Sequence, residues 1–352
     1  EKGFANVKKL ILIIYITAGT LILTGCNTRK EILFTGRTMG TTYRVKVVAG
    51  YFQSTSGLQE KIDKRLDEIN RSMSTYLADS EISRLNRLEK TGEKFAVSDD
   101  FLQVMRIAEK IHALSNGTWD GTVGPLVNLW GFGRKQQKVE MPSSEEIQTL
   151  LAKVGFNRIK RVENRYLLKS HPRVTLDFGS IAKGYGVDEI SALIRNNGFK
   201  DFLVEIGGEV YAAGVRVEGN SWRVGVNTPQ KDAPIDQVYK VVNLKNKAMA
   251  TSGDYRNFIE IGGKRYSHVI DPRTGYPVAN GVVSVSIIAD TCTFADGFAT
   301  AVMVMGHEKG LDLVNRIDRV EGLIIVRENG KLVDYYSKDF LFDTKSRNDV
   351  DK

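Results

Sequence analysis

The chain has 352 residues, 42% of them hydrophobic and 26% charged, with a formal charge of +8 and only two cysteines, Cys26 and Cys292. That length suits one large α+β body and is long for a small domain. The basic residues form no cluster interleaved with aromatics, so the charge reads as solvated surface and argues against nucleic acid as a partner.

At the N-terminus, Lys8 and Lys9 precede a mostly apolar run from Leu10 to Leu23. This is the pattern of a secretory signal, and it falls short of the ~20 residues of a spanning helix. The run ends in Leu23-Thr24-Gly25-Cys26, which resembles a bacterial lipobox. Residues 1–25 are therefore expected to be a lipoprotein signal peptide, and Cys26 the lipidated first residue of the mature chain; a plain export signal or membrane anchor is the competing reading. Two or more acyl chains, at ~0.8 kcal/mol per buried methylene, would anchor the body stably. With Cys26 so used, Cys292 has no partner for an intramolecular disulfide, and the fold must rest on its core even in an oxidising compartment. Residues 26–36 read as a tether, 37–342 as the folded domain and 343–352 as a polar, disordered tail.

Within the domain, TTYRVKVVA (41–49) has strand composition. LQEKIDKRLDEINRSM (58–73) places Leu58, Ile62, Leu66, Ile69 and Met73 on one helical face. A second helix is expected near Phe101 to Leu114, carrying His112 as a packing or surface histidine, and a third follows the capping-box pair Ser143 and Glu146. From residue 165 the strands YLLKS, RVTLDF, DFLVEI, EVYAAG, WRVGV and QVYKVVNL follow, interrupted by a helix from Gly184 to Asn197 with Gly198 just past its end. GVVSVSIIA (281–289) is a further strand, residues 294–306 begin a buried helix, and 321–336 read as a hairpin turning at Asn329-Gly330. The fold class is α+β: a single large domain of mixed or antiparallel sheets with packed helices.

Five stretches carry residues suited to chemistry. VTLDFGSIAKGYGVDEI (174–190) runs from a buried strand through glycines and Lys183 into a helix, as phosphate loops do, yet matches neither common nucleotide-binding template. STYLADSEISRLN (74–86) sets Tyr76 between a helix and a polar turn, where by itself it suits packing. NGTWDGTVGPLVNLWGFG (116–133) combines five glycines, a proline, two tryptophans and Asp120, a composition suited to lining a cavity. RYSHVIDPRTGYPV (265–278) sets His268 three residues before Asp271 at a strand end, where both can serve one proton transfer. TFADGFATA (293–301) puts Asp296 and Thr300 on one helical face, either as hard oxygen ligands for Mg²⁺ or Ca²⁺, or as a cap and a core threonine.

Read in order, MGT (39–41), STYxxDSEISRLN, DGTVGPLVNLWGFG, LDFGSIAKGYGVD, VEIGGEV, ATSGDY, SHVIDPRTG and ADGFATA resemble the ApbE-type FAD:protein FMN transferases, Mg²⁺-dependent flavin transferases of bacterial envelopes. The resemblance spans nearly all of the expected mature chain and implies an ApbE-like, T-fold-related architecture. It implies that FAD is the substrate and that a Ser/Thr hydroxyl of a target protein attacks the FMN-side phosphorus. AMP leaves, and FMN stays in phosphoester linkage.

By the same resemblance Asp296, Thr300 and a backbone oxygen at Ser180 hold the metal, with a second metal or further backbone ligand near Thr293 left open. Met39 and Tyr76 are placed against the isoalloxazine, with Thr118, Trp119 and Asp120 nearby. Asp177 and Lys183 lie at the nucleotide, and Ser252, Gly253 and Ile270 form further cofactor wall. His268 is the favoured base, and Asp271 its orienter or substitute. Many relatives carry an aspartate where this chain has Glu209 after Gly207-Gly208, which puts an adenine or ribose contact there in question. The family also contains Mg²⁺-dependent FAD pyrophosphatases, and a non-catalytic flavin-binding lipoprotein is a third reading. The implied partners are FAD, an acceptor with a Ser/Thr-Gly-Ala-Thr-like motif from a membrane redox pump or envelope flavoprotein, and a membrane through the lipid anchor. The implied location is the extracytoplasmic side of a bacterial envelope.

Overall fold

One antiparallel sheet of eight strands organises the protein, in the order Lys30–Thr38, Thr41–Ala49, Phe202–Ile206, Glu209–Ala213, Lys247–Gly253, Val282–Ala289, Glu321–Glu328 and Lys331–Tyr336. The computed structural model describes residues 29–133, 140–230, 233–234, 237–255 and 257–340, with the backbone alone at Lys264. The leader, Cys26 and the 343–352 tail lie outside the described residues.

The chain enters the sheet as β1 (Lys30–Thr38), which pairs with β2 (Thr41–Ala49) across a two-residue turn at Met39 (φ 48°) and Gly40 (φ 74°). Left-handed backbone at both central positions is the turn whose twist matches a hairpin. The domain thus begins earlier than residue 37: Lys30 to Gly36, read as tether, find a full ladder partner in β2.

Helix α1 (Leu58–Met73) buries all five residues of its apolar stripe. A short α2 (Glu81–Asn86), β3 (Phe95–Ala96) and α3 (Asp99–Leu114) follow, the last capped by Ser98. The 116–133 loop contains one short helix, α4 (Gly124–Leu129), with Pro125 in its first turn, and α5 (Ser144–Leu151) starts on the expected capping box. Then come β4 (Ile159–Val162), β5 (Tyr166–Lys169), α6 (Ala182–Asn196), β6 (Phe202–Ile206) and β7 (Glu209–Ala213). Strands β8 (Trp222–Asn227) and β9 (Val238–Leu244) form their own hairpin. β10 (Lys247–Gly253) returns to the large sheet, and β11 (Phe258–Ile261) with β12 (Lys264–Ser267) make a second separate hairpin. The chain closes with β13 (Val282–Ala289), α7 (Cys292–Met305), α8 (His307–Val314), β14 (Glu321–Glu328) and β15 (Lys331–Tyr336).

The sheet is covered on both faces, and this is why β13 is apolar almost throughout. On one face Val45, Val47, Val285, Ile287 and Ile324 pack with α1, α3, α6 and α7 in the main core. On the other, Val48, Met249, Ile288 and Ile325 pack against Trp222, Val224 and Val242 of the β8–β9 hairpin. A third, smaller core gathers Leu126, Trp130, Ile147 and Ile270 around α4 and α5.

One expected strand is absent. RVTLDF (173–178) buries Val174, Leu176 and Phe178 in alternation, yet joins no ladder. Its backbone groups are satisfied otherwise: the Leu176 N–H donates to Asn86 Oδ1, its carbonyl accepts from Asn86 Nδ2, and the Asp177 N–H donates to the Gly121 carbonyl. A buried backbone needs partners, but a side-chain amide and a loop supply them as well as a strand does. That choice leaves Asp177 to Ser180 open as cavity wall.

Candidate active site

A cavity of about 470 Å³ opens where β6, β7 and β10 end beside the first turn of α6. Twelve residues singled out from the sequence line it: Thr118, Trp119, Asp120, Asp177, Ser180, Lys183, Ser252, Gly253, His268, Ile270, Asp296 and Thr300. A second cavity of about 850 Å³, lined by Tyr76 and Phe132, adjoins the first through Gly124, Val127 and Asp177, which wall both. Tyr76 is 77% exposed there, a flat ring turned outward instead of a packing group.

Two expected members lie elsewhere. Met39 occupies the β1–β2 turn and packs against the main core, beside Gly186, lining neither cavity. Asp271 does not orient His268: its carboxylate holds the Arg273 side chain at 2.7 and 2.9 Å and accepts the Arg273 N–H. An ion pair two residues along the turn satisfies that carboxylate locally. His268 is oriented instead by the Asn257 carbonyl, 2.9 Å from Nδ1. A carbonyl only accepts, so Nδ1 carries the proton and Nε2 is the basic nitrogen. Burial lowers the His268 pKa below its ordinary value, against the smaller opposing effect of the Asn257 hydrogen bond, so the ring is neutral at pH 7.

Lys183 sits in the first turn of α6 with its ammonium 2.8 Å from Glu209 and 3.9 Å from Asp296. Burial alone would lower its pKa, but the two carboxylates outweigh it and raise the pKa. Glu209 is 4% exposed, and its pKa is pushed up by burial first and by Asp296, with Lys183 opposing. Its second oxygen, Oε2, is buried without a hydrogen-bond partner. The glutamate after the paired glycines thus holds Lys183, a role the sequence reading did not assign.

Asp296 is 4% exposed and accepts the Gly184 N–H at 2.9 Å. One helical turn on, the Thr300 hydroxyl lies 3.0 Å from that of Ser252 on β10. The Ser180 hydroxyl accepts from the Trp119 indole at 2.9 Å, fixing the ring in the wall. Asp120 serves the loop itself, accepting the N–H groups of Thr122 and Phe156. Thr118 donates to the Ala301 carbonyl, tying the loop to α7, and His112 packs under it, with Nδ1 on the Trp119 carbonyl.

Helices α6 and α7 clamp one another. Asp188 of α6 accepts the N–H groups of Cys292 and Thr293 and the Thr293 hydroxyl at the start of α7, while Asp296 of α7 accepts from Gly184 of α6. Thr293 is therefore committed to this cap. Burial raises the Asp188 pKa to about 6, with the Thr293 and Cys292 hydrogen bonds opposing. Asp188 escaped sequence reading because its partners are more than a hundred residues away.

The clamp requires Gly184. A Cβ there would lie 2.4 Å from the Cys292 carbonyl oxygen and 2.8 Å from the Asp296 Cβ. Gly to Ala inside a helix ordinarily gains up to ~1 kcal/mol, but forcing backbone apart in a packed core costs ~1–3 kcal/mol. Gly184→Ala is expected to be net destabilising, read as a lower urea midpoint at unchanged slope.

The oxygen donors fit a magnesium ion. Asp296, Thr300 and the backbone of Ser180, which line the one cavity, offer only hard oxygens, and Mg²⁺ commonly takes one or two carboxylates and completes its shell with phosphates and water. No group of three His, Cys, Asp or Glu suited to a metal occurs among the described residues.

A lysine held by two acids, an oxygen donor set and a neutral histidine around one cavity define a class: proteins equipped for transfer chemistry at a phosphate. The chain belongs to the ApbE family, whose model matches residues 39–324. Among curated proteins it is 40% identical to the FAD:protein FMN transferase of Vibrio cholerae over 326 residues, covering 92% of this chain and 96% of that one. Among solved structures it is similar to the flavin transferase ApbE from Vibrio cholerae, with TM-score 0.81 and 39% identity over 89% of this chain and all of that one. It is also similar to the apo flavinyl transferase ApbE of Pseudomonas stutzeri, with TM-score 0.79 and 35% identity over 88% and 95%.

Proposed function

We propose that this chain transfers FMN from FAD to a Ser or Thr hydroxyl of a target protein, releasing AMP. The observation that carries the reading is the convergence of Lys183, Asp296, Thr300 and His268 on one cavity, continuous with a second where Tyr76 offers an aromatic face. The names of the relatives point the same way.

In this reading Lys183 holds the pyrophosphate as a point cation, and Glu209 keeps its ammonium charged and in place. Tyr76 supplies a stacking surface for the isoalloxazine in the second cavity. Asp296, Thr300 and the Ser180 backbone oxygen would hold an Mg²⁺, which would supply positive charge to offset that of the leaving phosphate. The acceptor hydroxyl attacks the FMN-side phosphorus, its proton passes to His268 Nε2, and the bond from that phosphorus to the bridging oxygen breaks. One P–O bond forms and one breaks, leaving FMN on the acceptor and AMP free. The expected leader and a lipid on Cys26 support a location for this chemistry on the extracytoplasmic side of a bacterial membrane.

The test incubates the chain with FAD, Mg²⁺ and a protein bearing a Ser/Thr-Gly-Ala-Thr-like sequence, then measures intact masses and AMP. An FMN adduct with stoichiometric AMP is expected. AMP without adduct would make the protein a pyrophosphatase, and intact bound FAD a flavin binder.

A further inference from the structure

We infer that the end of the sheet opposite the cavity docks on a phospholipid surface through Tyr51 and Phe52, holding the cavity away from the bilayer. The inference rests on the membrane-anchor reading of the leader and Cys26, and it adds an orientation that reading lacks.

Tyr51 and Phe52 are 77% and 95% exposed, and their rings meet edge to face at 5.0 Å. A phenylalanine left almost wholly in water gains most by entering an interface, where tyrosine also partitions well. The pair follows β2 directly, and the β1–β2 register sets Lys30 opposite Ala49, two residues before Tyr51. However residues 26–29 run, the four steps from Cys26 to Lys30 reach at most ~14 Å. A lipid on Cys26, or an apolar anchor ending at Leu23, therefore holds this corner within reach of the membrane.

The neighbouring groups suit anionic headgroups. Gln53 donates to the Gly198 carbonyl, which brings the 197–201 segment alongside; exposed lysines stand on the elements that meet at this corner, Lys30 opposite Ala49, Lys61 on Asn197 and Lys200 two residues past Gly198. The nearby acids Asp201 and Glu31 are ion-paired with Arg29 and Lys46.

Two rods fix the distance to the cavity. β2 starts at the cavity, where its Thr42 carbonyl accepts from Gly207, and its nine residues end at Ala49, just before the aromatic pair. α6 starts at Ala182, next to Lys183 in the cavity wall, and ends at Asn196, two residues before Gly198. A nine-residue strand spans ~27 Å and a fifteen-residue helix ~22 Å, so both set the cavity on the order of 25 Å above the surface. An acceptor served there must present its hydroxyl on a segment that stands clear of the headgroups.

The experiment uses the full chain bound to phosphatidylethanolamine/phosphatidylglycerol vesicles brominated near the headgroup. Phe52→Trp and Tyr276→Trp are compared with the parent, whose Trp119, Trp130 and Trp222 are all buried. Tyr276 lies on the turn beside the cavity and is 42% exposed. Flotation with the vesicles is expected, with blue-shifted, quenched emission from Phe52→Trp and none of either from Tyr276→Trp. A floating chain with unquenched Phe52→Trp overturns the docking and leaves the anchor standing. Quenching at both positions overturns the orientation, and failure to float overturns anchor and docking together. AMP release by the same variants reports the transferase reading separately.

Discussion

His268→Ala is expected to lower FMN transfer by about 10²- to 10⁴-fold, the usual contribution of a positioned base, while FAD binding is retained. The expectation follows from where the proton must go. The acceptor hydroxyl ionises far above neutral pH, so its attack needs a group that is unprotonated and within the cavity. His268 is neutral because burial opposes its charging, and the Asn257 carbonyl fixes the Nδ1 proton so that Nε2 is left to accept. Because the pKa is lowered below the ordinary 6.5, the acidic limb of the rate profile should lie below that value. The sign for stability agrees: the unfolded ring binds protons more readily, so this contribution is full above about 6.5 and is lost as pH falls below it. The measurements are adduct formation by mass across pH and FAD affinity by fluorescence; unchanged transfer in the alanine variant would sink the assignment.

Asp296→Asn is expected to lose transfer by more than the ~10–100-fold typical of residues one step removed from a metal, with partial recovery at raised Mg²⁺. Asparagine keeps an oxygen to accept the Gly184 N–H, so the α6–α7 clamp and the unfolding midpoint should hold. What it removes is the charge. The cation loses its carboxylate, and Lys183 loses one of the two acids that keep it protonated. A fall in transfer that Mg²⁺ leaves untouched, or one matched by a fall in stability, would assign Asp296 a structural role instead.

These two residues show how a site becomes legible. Asp296 and Thr300 are four apart on a helix, and one face of a helical turn follows from spacing alone. Their neighbour Ser252 comes from a strand 48 residues before Thr300, and only the sheet brings the two hydroxyls to 3.0 Å. His268 and Asp271 make the opposite case. Their closeness in sequence suggested a pair, yet the turn gave Asp271 to Arg273 and the β11–β12 hairpin gave His268 to Asn257. A carboxylate takes the cation that the backbone brings nearest, whatever the spacing suggests.

Local physics was sufficient where the element itself contains the answer. The five-residue stripe of α1, the Ser143–Glu146 capping box and the Asn329-Gly330 turn with φ 49° and 80° are all settled within a few residues, because periodicity, a cap and left-handed backbone are local properties. The motifs in their order carried the family as well. The tertiary structure decided everything that rests on partners far along the chain: that Asn86 replaces a ladder for 173–178, that β1 is a strand, that Glu209 holds Lys183, and that Asp188 caps α7. A buried polar group must be satisfied, but nothing in its own neighbourhood of sequence says by whom; only the packed fold fixes the distances that choose.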